Sequence, residues 1–239
     1  MDKRNYNRRY ANEYGIFRTA FYRVFLFLVV WTVSKLQYNI KIIGRENLER
    51  GKQYIYTANH TSYLDPPFVS LAANDTVAYM AKQELFTDKN WMLRFVVKIL
   101  GAFAVNREKP ELATFKTVFD ITKNTKWSLG IFPEGQIRKT GVLENLQKGF
   151  ITIAKKTKLD IVPIGISGFD GYAGKTILKK HITARIGTPI SYELSEEEIL
   201  QEWARQICEY TGYENKACFA THDEDGNLSP TEQKEEVKS

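Results

Sequence analysis

The stretch Tyr54-Ile55-Tyr56-Thr57-Ala58-Asn59-His60-Thr61-Ser62-Tyr63-Leu64-Asp65-Pro66 sets the architecture. A β-like run through Thr57 gives way to a polar loop, and the apolar Phe68 to Ala73 follows, so the segment reads as strand, turn and helix. Pro66-Pro67 suits a first helical turn, where a missing N–H costs nothing. Within the loop, His60 and Asp65 lie close enough across a turn for the carboxylate to fold back onto one imidazole nitrogen. Imidazole is the side chain whose ordinary pKa lies near cellular pH, and a carboxylate on its other nitrogen fixes the tautomer and steadies the charged form. The pair is a candidate acid/base couple, although the spacing alone is a weak signal.

Outward from that loop, strands and helices alternate. Tyr38 to Ile43, Gln53 to Ala58, Thr76 to Ala81, Phe103 to Val105, Leu129 to Phe132, Ile161 to Ile166 and Ile182 to Ile186 read as strands. Trp91 to Leu100, Glu111 to Asn124, Lys148 to Thr157 and Ser195 to Glu209 read as helices, the last opened by a capping box of Ser195 and Glu198. The alternation predicts a single α/β domain over residues 38–212, with a mixed, mostly parallel sheet flanked by helices. Pro163 lacks a ladder donor and predicts an edge or a bulge in its strand.

A chain of 239 residues can bury one sizeable core. With 43% hydrophobic and 26% charged residues it is neither wholly disordered nor polytopic in a membrane. Cys208 and Cys218 have no metal-ligand neighbours, which predicts free thiols in a reducing compartment. The net charge of +6 is uneven, because six acidic and only two basic residues lie between His222 and Ser239. Residues 213–239 are therefore expected to form a polar, acidic tail, disordered from about His222, behind a basic body. A basic body suits nucleic acid or an anionic membrane, and no segment resembles a nucleic-acid-reading module.

The N-terminal region points to the membrane. Residues 1–14 are polar and basic and read as a flexible or interfacial lead-in, and Ile16 to Leu36 is aromatic and aliphatic but interrupted by Arg18, Arg23 and Lys35. Only eleven uncharged residues separate Arg23 from Lys35. As a helix they reach about 16 Å, against about 30 Å of hydrocarbon. Residues 1–37 thus read as an interfacial helical anchor whose cations reach lipid phosphates. A buried core helix is the main alternative. A secretory leader is the other, but no small-residue cleavage site follows Trp31 before Lys35.

Four blocks recur in order: His60-Thr61-Ser62-Tyr63-Leu64-Asp65, Gly101-Ala102-Phe103-Ala104-Val105-Asn106-Arg107, Phe132-Pro133-Glu134-Gly135 and Ile161-Val162-Pro163-Ile164-Gly165. Together they resemble the glycerolipid acyltransferases, above all the bacterial 1-acylglycerol-3-phosphate acyltransferases. The resemblance implies a glycerol-phosphate acyltransferase-like fold at the cytoplasmic face of the cell membrane. It also implies transfer of a fatty acyl group from acyl carrier protein or coenzyme A to the sn-2 hydroxyl of lysophosphatidate, giving phosphatidic acid. In that reading His60 is the base and Asp65 steadies its charge. Arg107 and Lys82 grip the acceptor phosphate, since an Arg fork takes two phosphate oxygens at once. Glu134 bonds the acceptor or holds its loop, and Gly135 permits a tight backbone approach. Thr-Arg commonly follows that glycine in the family; here Gln136-Ile137 intervene, and either Arg138 supplies the cation one position late or the acceptor headgroup differs.

No metal cluster or glycine-rich nucleotide loop is evident, so no cofactor beyond the thioester donor is expected. Ser62 is read as a turn residue rather than a nucleophile, because no Gly-x-Ser-x-Gly elbow is present. Lys98, Lys109, Lys116, His181 and His222 are read as ordinary surface residues. The rivals to the lysophosphatidate reading are an acyltransferase for another lysolipid acceptor and a non-catalytic membrane lipid-binding protein.

Overall fold

A computed structural model of the chain describes residues 9–32, 36, 38–87, 94, 97–98, 101–105, 112–168, 180–222 and 228–230. In chain order the strands are β1 (Tyr38–Ile43), β2 (Ile55–Ala58), β3 (Val77–Lys82), β4 (Phe103–Val105), β5 (Ser128–Ile131), β6 (Val142–Leu143), β7 (Ile161–Ser167), β8 (Lys180–Ile186), β9 (Glu214–Asn215), β10 (Ala220–His222) and β11 (Leu228–Pro230). The helices are α1 (Ile16–Phe25), α2 (Asp65–Ala73), α3 (Glu84–Thr87), α4 (Leu112–Asn124), α5 (Gly149–Thr157) and α6 (Glu196–Thr211). The helix read over Trp91 to Leu100 lies largely outside the described residues; Arg94, Val97 and Lys98 within it are helical.

The main sheet runs β1-β8-β7-β2-β5-β3-β4. Every neighbouring pair is parallel except β7 with β8, so the mixed, mostly parallel sheet read from the sequence is the one observed. Its interior strands are apolar on both sides, as strands covered by helices on both faces must be. Ile55, Leu129 and Ile161 pack with Trp127, Phe150 and Trp203 on one face. Tyr54, Tyr56, Val162 and Ile164 pack with Phe68 and Val69 of α2 on the other. The α6 cap is the expected box: Glu198 N–H donates to Ser195 Oγ (3.2 Å) and Ser195 N–H to Glu198 Oε2 (2.8 Å). Below it the buried Ile199, Trp203 and Ile207 repeat every helical turn and seat α6 on the sheet. Trp203 is fully buried, yet its Nε1–H is satisfied by Thr57 Oγ1 at 2.7 Å. Truncating such a core tryptophan costs about 3–5 kcal/mol.

Pro163 sits in an interior strand, not at an edge. Its carbonyl accepts Gly187 N–H at 2.8 Å, but it has no N–H to return. The regular antiparallel ladder with β8 stops there. The next bridge, Ile161 with Ile190, needs one more residue on the partner chain than on β7. That is a bulge, the second of the two sequence expectations.

Both ends of the chain differ from the compositional reading. Residues 9–14 are docked, because the free N–H groups of their helical turn find acceptors on α4: Arg9 N–H on Thr117 Oγ1 (3.1 Å) and Ala11 N–H on Asp120 Oδ2 (2.7 Å). Tyr14 and Tyr22 meet Trp127 edge-on at 5.0 and 4.9 Å. Tyr22 is fully buried and its hydroxyl pairs with Ser70 Oγ at 2.7 Å. A π-helical segment, Leu26–Trp31, extends α1. Phe17, Phe21, Val24, Phe27 and Leu28 face outward and are exposed. Among the described residues no helix is long and apolar enough to cross a membrane. At the other end, residues 213–222 pair with the body instead of leaving it at Gly212: β9 lies parallel to β6, and Leu146 N–H donates to Cys218 O at 2.7 Å. Backbone pairing needs no apolar side chain, so composition does not show it. Most of the remaining tail lies outside the described residues.

Gly130 of β5 shows how closely the sheet is packed. A Cβ there would strike the Tyr79 ring and come within 2.9 Å of Val77 Cγ1. Gly130→Ala should therefore lower stability by about 1–3 kcal/mol as an overpacked site. A urea midpoint equal to that of the unmodified chain would contradict this packing.

Candidate functional site

The ends of parallel strands bring distant sequence blocks together. β2 leads into His60, β5 into Phe132-Pro133-Glu134-Gly135, β3 ends at Lys82 and β4 ends at Val105, all at the C-terminal edge where open α/β sheets place ligand sites. The loop between β2 and α2 is tied across the sheet by Asn59, which is fully buried. Its amide donates to Ile166 O and accepts Ile166 N–H, both at 2.8 Å, so β7 braces the residue before His60.

Asp65 opens α2 and is fully buried. Its Oδ2 accepts three donors: Thr61 N–H at 2.7 Å, Ser62 N–H at 2.8 Å and His60 Nδ1–H at 2.8 Å. Two backbone donors on the same oxygen make it an acceptor toward the ring as well, which assigns the imidazole proton to Nδ1 and leaves the Nε2 lone pair free to act as base. The His60 side chain keeps 15% of its surface exposed, so the ring is reachable from outside. Phe132 stacks on it with centroids 4.2 Å apart and planes 22° from parallel. Tyr79 backs Phe132 at 6.1 Å. Ser62 Oγ accepts Leu64 N–H at 3.1 Å, the turn role expected of it.

Glu134 is 3% exposed. Its Oε1 accepts His60 N–H at 2.9 Å, and Arg138 N–H donates to His60 O at 2.8 Å, so the backbone of His60 is held on both sides by the loop after β5. Gly135 makes that loop turn: its φ is +71° and its N–H closes on Phe132 O at 2.9 Å. Burial pushes the Glu134 carboxyl up to about 7, against the opposing pull of the His60 N–H and Arg138. Of the two roles read for Glu134, holding the loop is the one visible here.

Arg138 is not an unpaired cation. Its Nη1 pairs with Glu144 Oε1 at 3.0 Å, and its buried Nε has no partner among the described residues. Lys82 is exposed at the end of β3. Arg107, like Lys109, lies outside the described residues, two positions beyond the end of β4. His60, Asp65, Glu134, Gly135 and Arg138 thus form one connected group. Asn59, Phe132 and Glu144 belong to it without having been assigned roles from the sequence. The first two adjoin assigned residues, and their chemistry was the available signal; Glu144 carries none.

A family model described as Acyltransferase matches residues 39–167. A 1-acyl-sn-glycerol-3-phosphate acyltransferase of Streptococcus pneumoniae is 27% identical over 194 residues, covering 80% of this chain and 69% of that protein. One of Cocos nucifera is 31% identical over 160 residues, 64% of this chain and 51% of that protein. The crystal structure of the 1-acyl-sn-glycerophosphate (LPA) acyltransferase PlsC from Thermotoga maritima has a similar fold, with a TM-score of 0.56 at 22% identity over 83% of this chain and 89% of that one.

The Glu134 carboxyl generates a pH dependence. Between its ordinary value of 4.5 and about 7 the folded chain keeps a proton that the unfolded chain has released, so folding stability falls as pH rises through that window. Glu134→Gln keeps an oxygen for His60 N–H and removes the titration. Urea unfolding at either end of the window should show the original chain losing on the order of 2–3 kcal/mol more than the variant. Parallel stability curves would refute the shift.

Proposed function

Since the chain belongs to the acyltransferase family, we propose that it moves a fatty acyl group from a thioester to the sn-2 hydroxyl of 1-acyl-glycerol-3-phosphate, yielding phosphatidic acid. The observation that carries the reading is the His60 Nδ1 to Asp65 Oδ2 bond of 2.8 Å, which frees Nε2 at a reachable strand-end loop. Nε2 takes the acceptor's hydroxyl proton as the oxygen attacks the thioester carbonyl. A carbon–oxygen bond forms and the carbon–sulfur bond breaks. The proton then passes from the imidazolium to the departing thiolate, so no acyl-enzyme is formed. Asp65 opposes the positive charge at Nδ1, and Phe132 faces it across the ring.

Glu134 and Arg138 are positioning residues that hold His60 through its backbone. With Arg138 paired to Glu144, the acceptor phosphate falls to Lys82 and Arg107. Acyl carrier protein or coenzyme A supplies the thioester, and the basic body suits either acidic donor. We place the protein peripherally on the cytoplasmic face of the cell membrane. The exposed apolar side of α1 and its extension supports that placement, with the exposed Arg23 beside it.

His60→Ala should reduce acyl transfer by a factor of about 10²–10⁴ while far-UV circular dichroism and vesicle binding stay unchanged. Full activity in that variant would remove His60 as the base; no turnover by the unmodified chain would favour the lipid-binding alternative. Against a panel of lysolipids with a labelled donor, lysophosphatidate should be the preferred acceptor, and Lys82→Ala should raise its KM more than it lowers kcat. Preference for a neutral lysolipid would overturn the phosphate grip.

A further inference from the structure

A cavity of about 1190 Å³ lies at the opposite edge of the sheet from His60. Gly51 and Lys52, before β2, line it together with Thr76, before β3, and Trp127, before β5. The far wall is α1 and its π-helical extension. A strand the length of β2 spans about 13 Å, so this space is separate from the acyl-transfer edge.

The lining is divided by chemistry. Leu26, Phe27, Leu48 and Leu71 make an apolar side, and Phe27 is 62% exposed on the same outward surface as Phe17 and Phe21. The charged side is mostly satisfied internally. Arg45 donates to Leu71 O and Ala72 O at the end of α2, both at 2.9 Å. Lys52 pairs with Glu49 and Asp160, each at 3.1 Å. Asp75 accepts the Tyr56 hydroxyl, the Ser128 hydroxyl and Thr76 N–H. Arg23, Arg50 and Lys126 also line the cavity; among the described residues none of their side chains makes a hydrogen bond or ion pair, although Arg23 lies near enough to Asp75 for the two charges to interact.

Cations whose side chains make no ion pair, set beside an apolar wall that continues onto an exposed apolar helix, match a ligand with an anionic head and apolar chains. We propose that this cavity binds the phosphate-bearing head of an anionic membrane phospholipid, with its acyl chains along Phe27 and Leu48. The site rests on the membrane-surface reading above and adds to it a discrete headgroup position remote from the chemistry. Arg23 belongs to α1, whereas Arg50 and Lys126 belong to the body. A lipid phosphate among them would tie the membrane-facing helix to the domain that carries His60.

The test uses the full chain and vesicles of phosphatidylcholine with or without phosphatidylglycerol. Arg50→Ala/Lys126→Ala should weaken binding to the anionic vesicles about tenfold to thirtyfold, the loss expected from two interfacial cations, and leave binding to neutral vesicles unchanged. Lys41→Ala/Arg185→Ala removes two exposed cations elsewhere and should bind as the original chain does. Acyl transfer to a monomeric lysolipid in solution should be the same for all three proteins. Equal weakening in both double variants would mean diffuse attraction and overturn the site, as would no weakening in either. Competition by inorganic phosphate as effective as that by soluble short-chain phosphatidylglycerol would assign the cations to a free anion. Loss of acyl carrier protein binding with vesicle binding intact would assign them to an acidic donor protein. An original chain that binds neither vesicle would overturn the membrane reading itself.

Discussion

One oxygen of a buried carboxylate organises the loop that carries His60. Asp65 Oδ2 takes two backbone N–H groups and the His60 Nδ1–H, so a single acceptor shapes the turn, orients the ring and sets its tautomer. Burial makes the arrangement obligatory, because a buried carboxylate deprived of these donors is strongly destabilising. Placement of the imidazole and folding of the loop are therefore the same interaction. Asn59, bonded to Ile166 of β7, and Glu134 after β5 brace the flanks of that turn, so three neighbouring strands hold one imidazole.

The electrostatics of the site follow from how each charged group is satisfied. Glu134 is pushed up by burial and binds a backbone amide, which a neutral carboxyl can do as well as an anionic one. Arg138 gives its backbone N–H to His60 and its guanidinium to Glu144. Both residues resemble substrate-binding groups in the sequence, and both are engaged in holding the loop. The cation one place late after Gln136-Ile137 is thus accounted for inside the protein.

The N-terminal segment combines two surfaces on one helix. Tyr22 is held by Ser70, whose hydroxyl also meets Tyr79 at 2.7 Å, and Tyr79 backs the Phe132 ring that lies against His60. The opposite side of the helix is apolar and exposed. Packing against the body and presenting an apolar face outward are compatible because a helix alternates its faces every turn. The sequence alternative of a core helix describes the side that carries Tyr22.

What the sequence determined by itself was local: the strand–loop–helix around His60, the pairing of His60 with Asp65, the capping box at Ser195, an irregularity in the ladder at Pro163 and the α/β alternation. Each depends on residues a few positions apart, where spacing and propensity act directly. Only the tertiary structure decided that β8 runs against β7, that residues 9–14 and 213–222 belong to the body, that Phe132 lies on the imidazole, and that Glu144 claims Arg138. These outcomes depend on which strand ends become neighbours and which charges lose water. Strand order is chosen by the packing of the whole chain, so the partner of a charge at one strand's end cannot be read from the residues beside it.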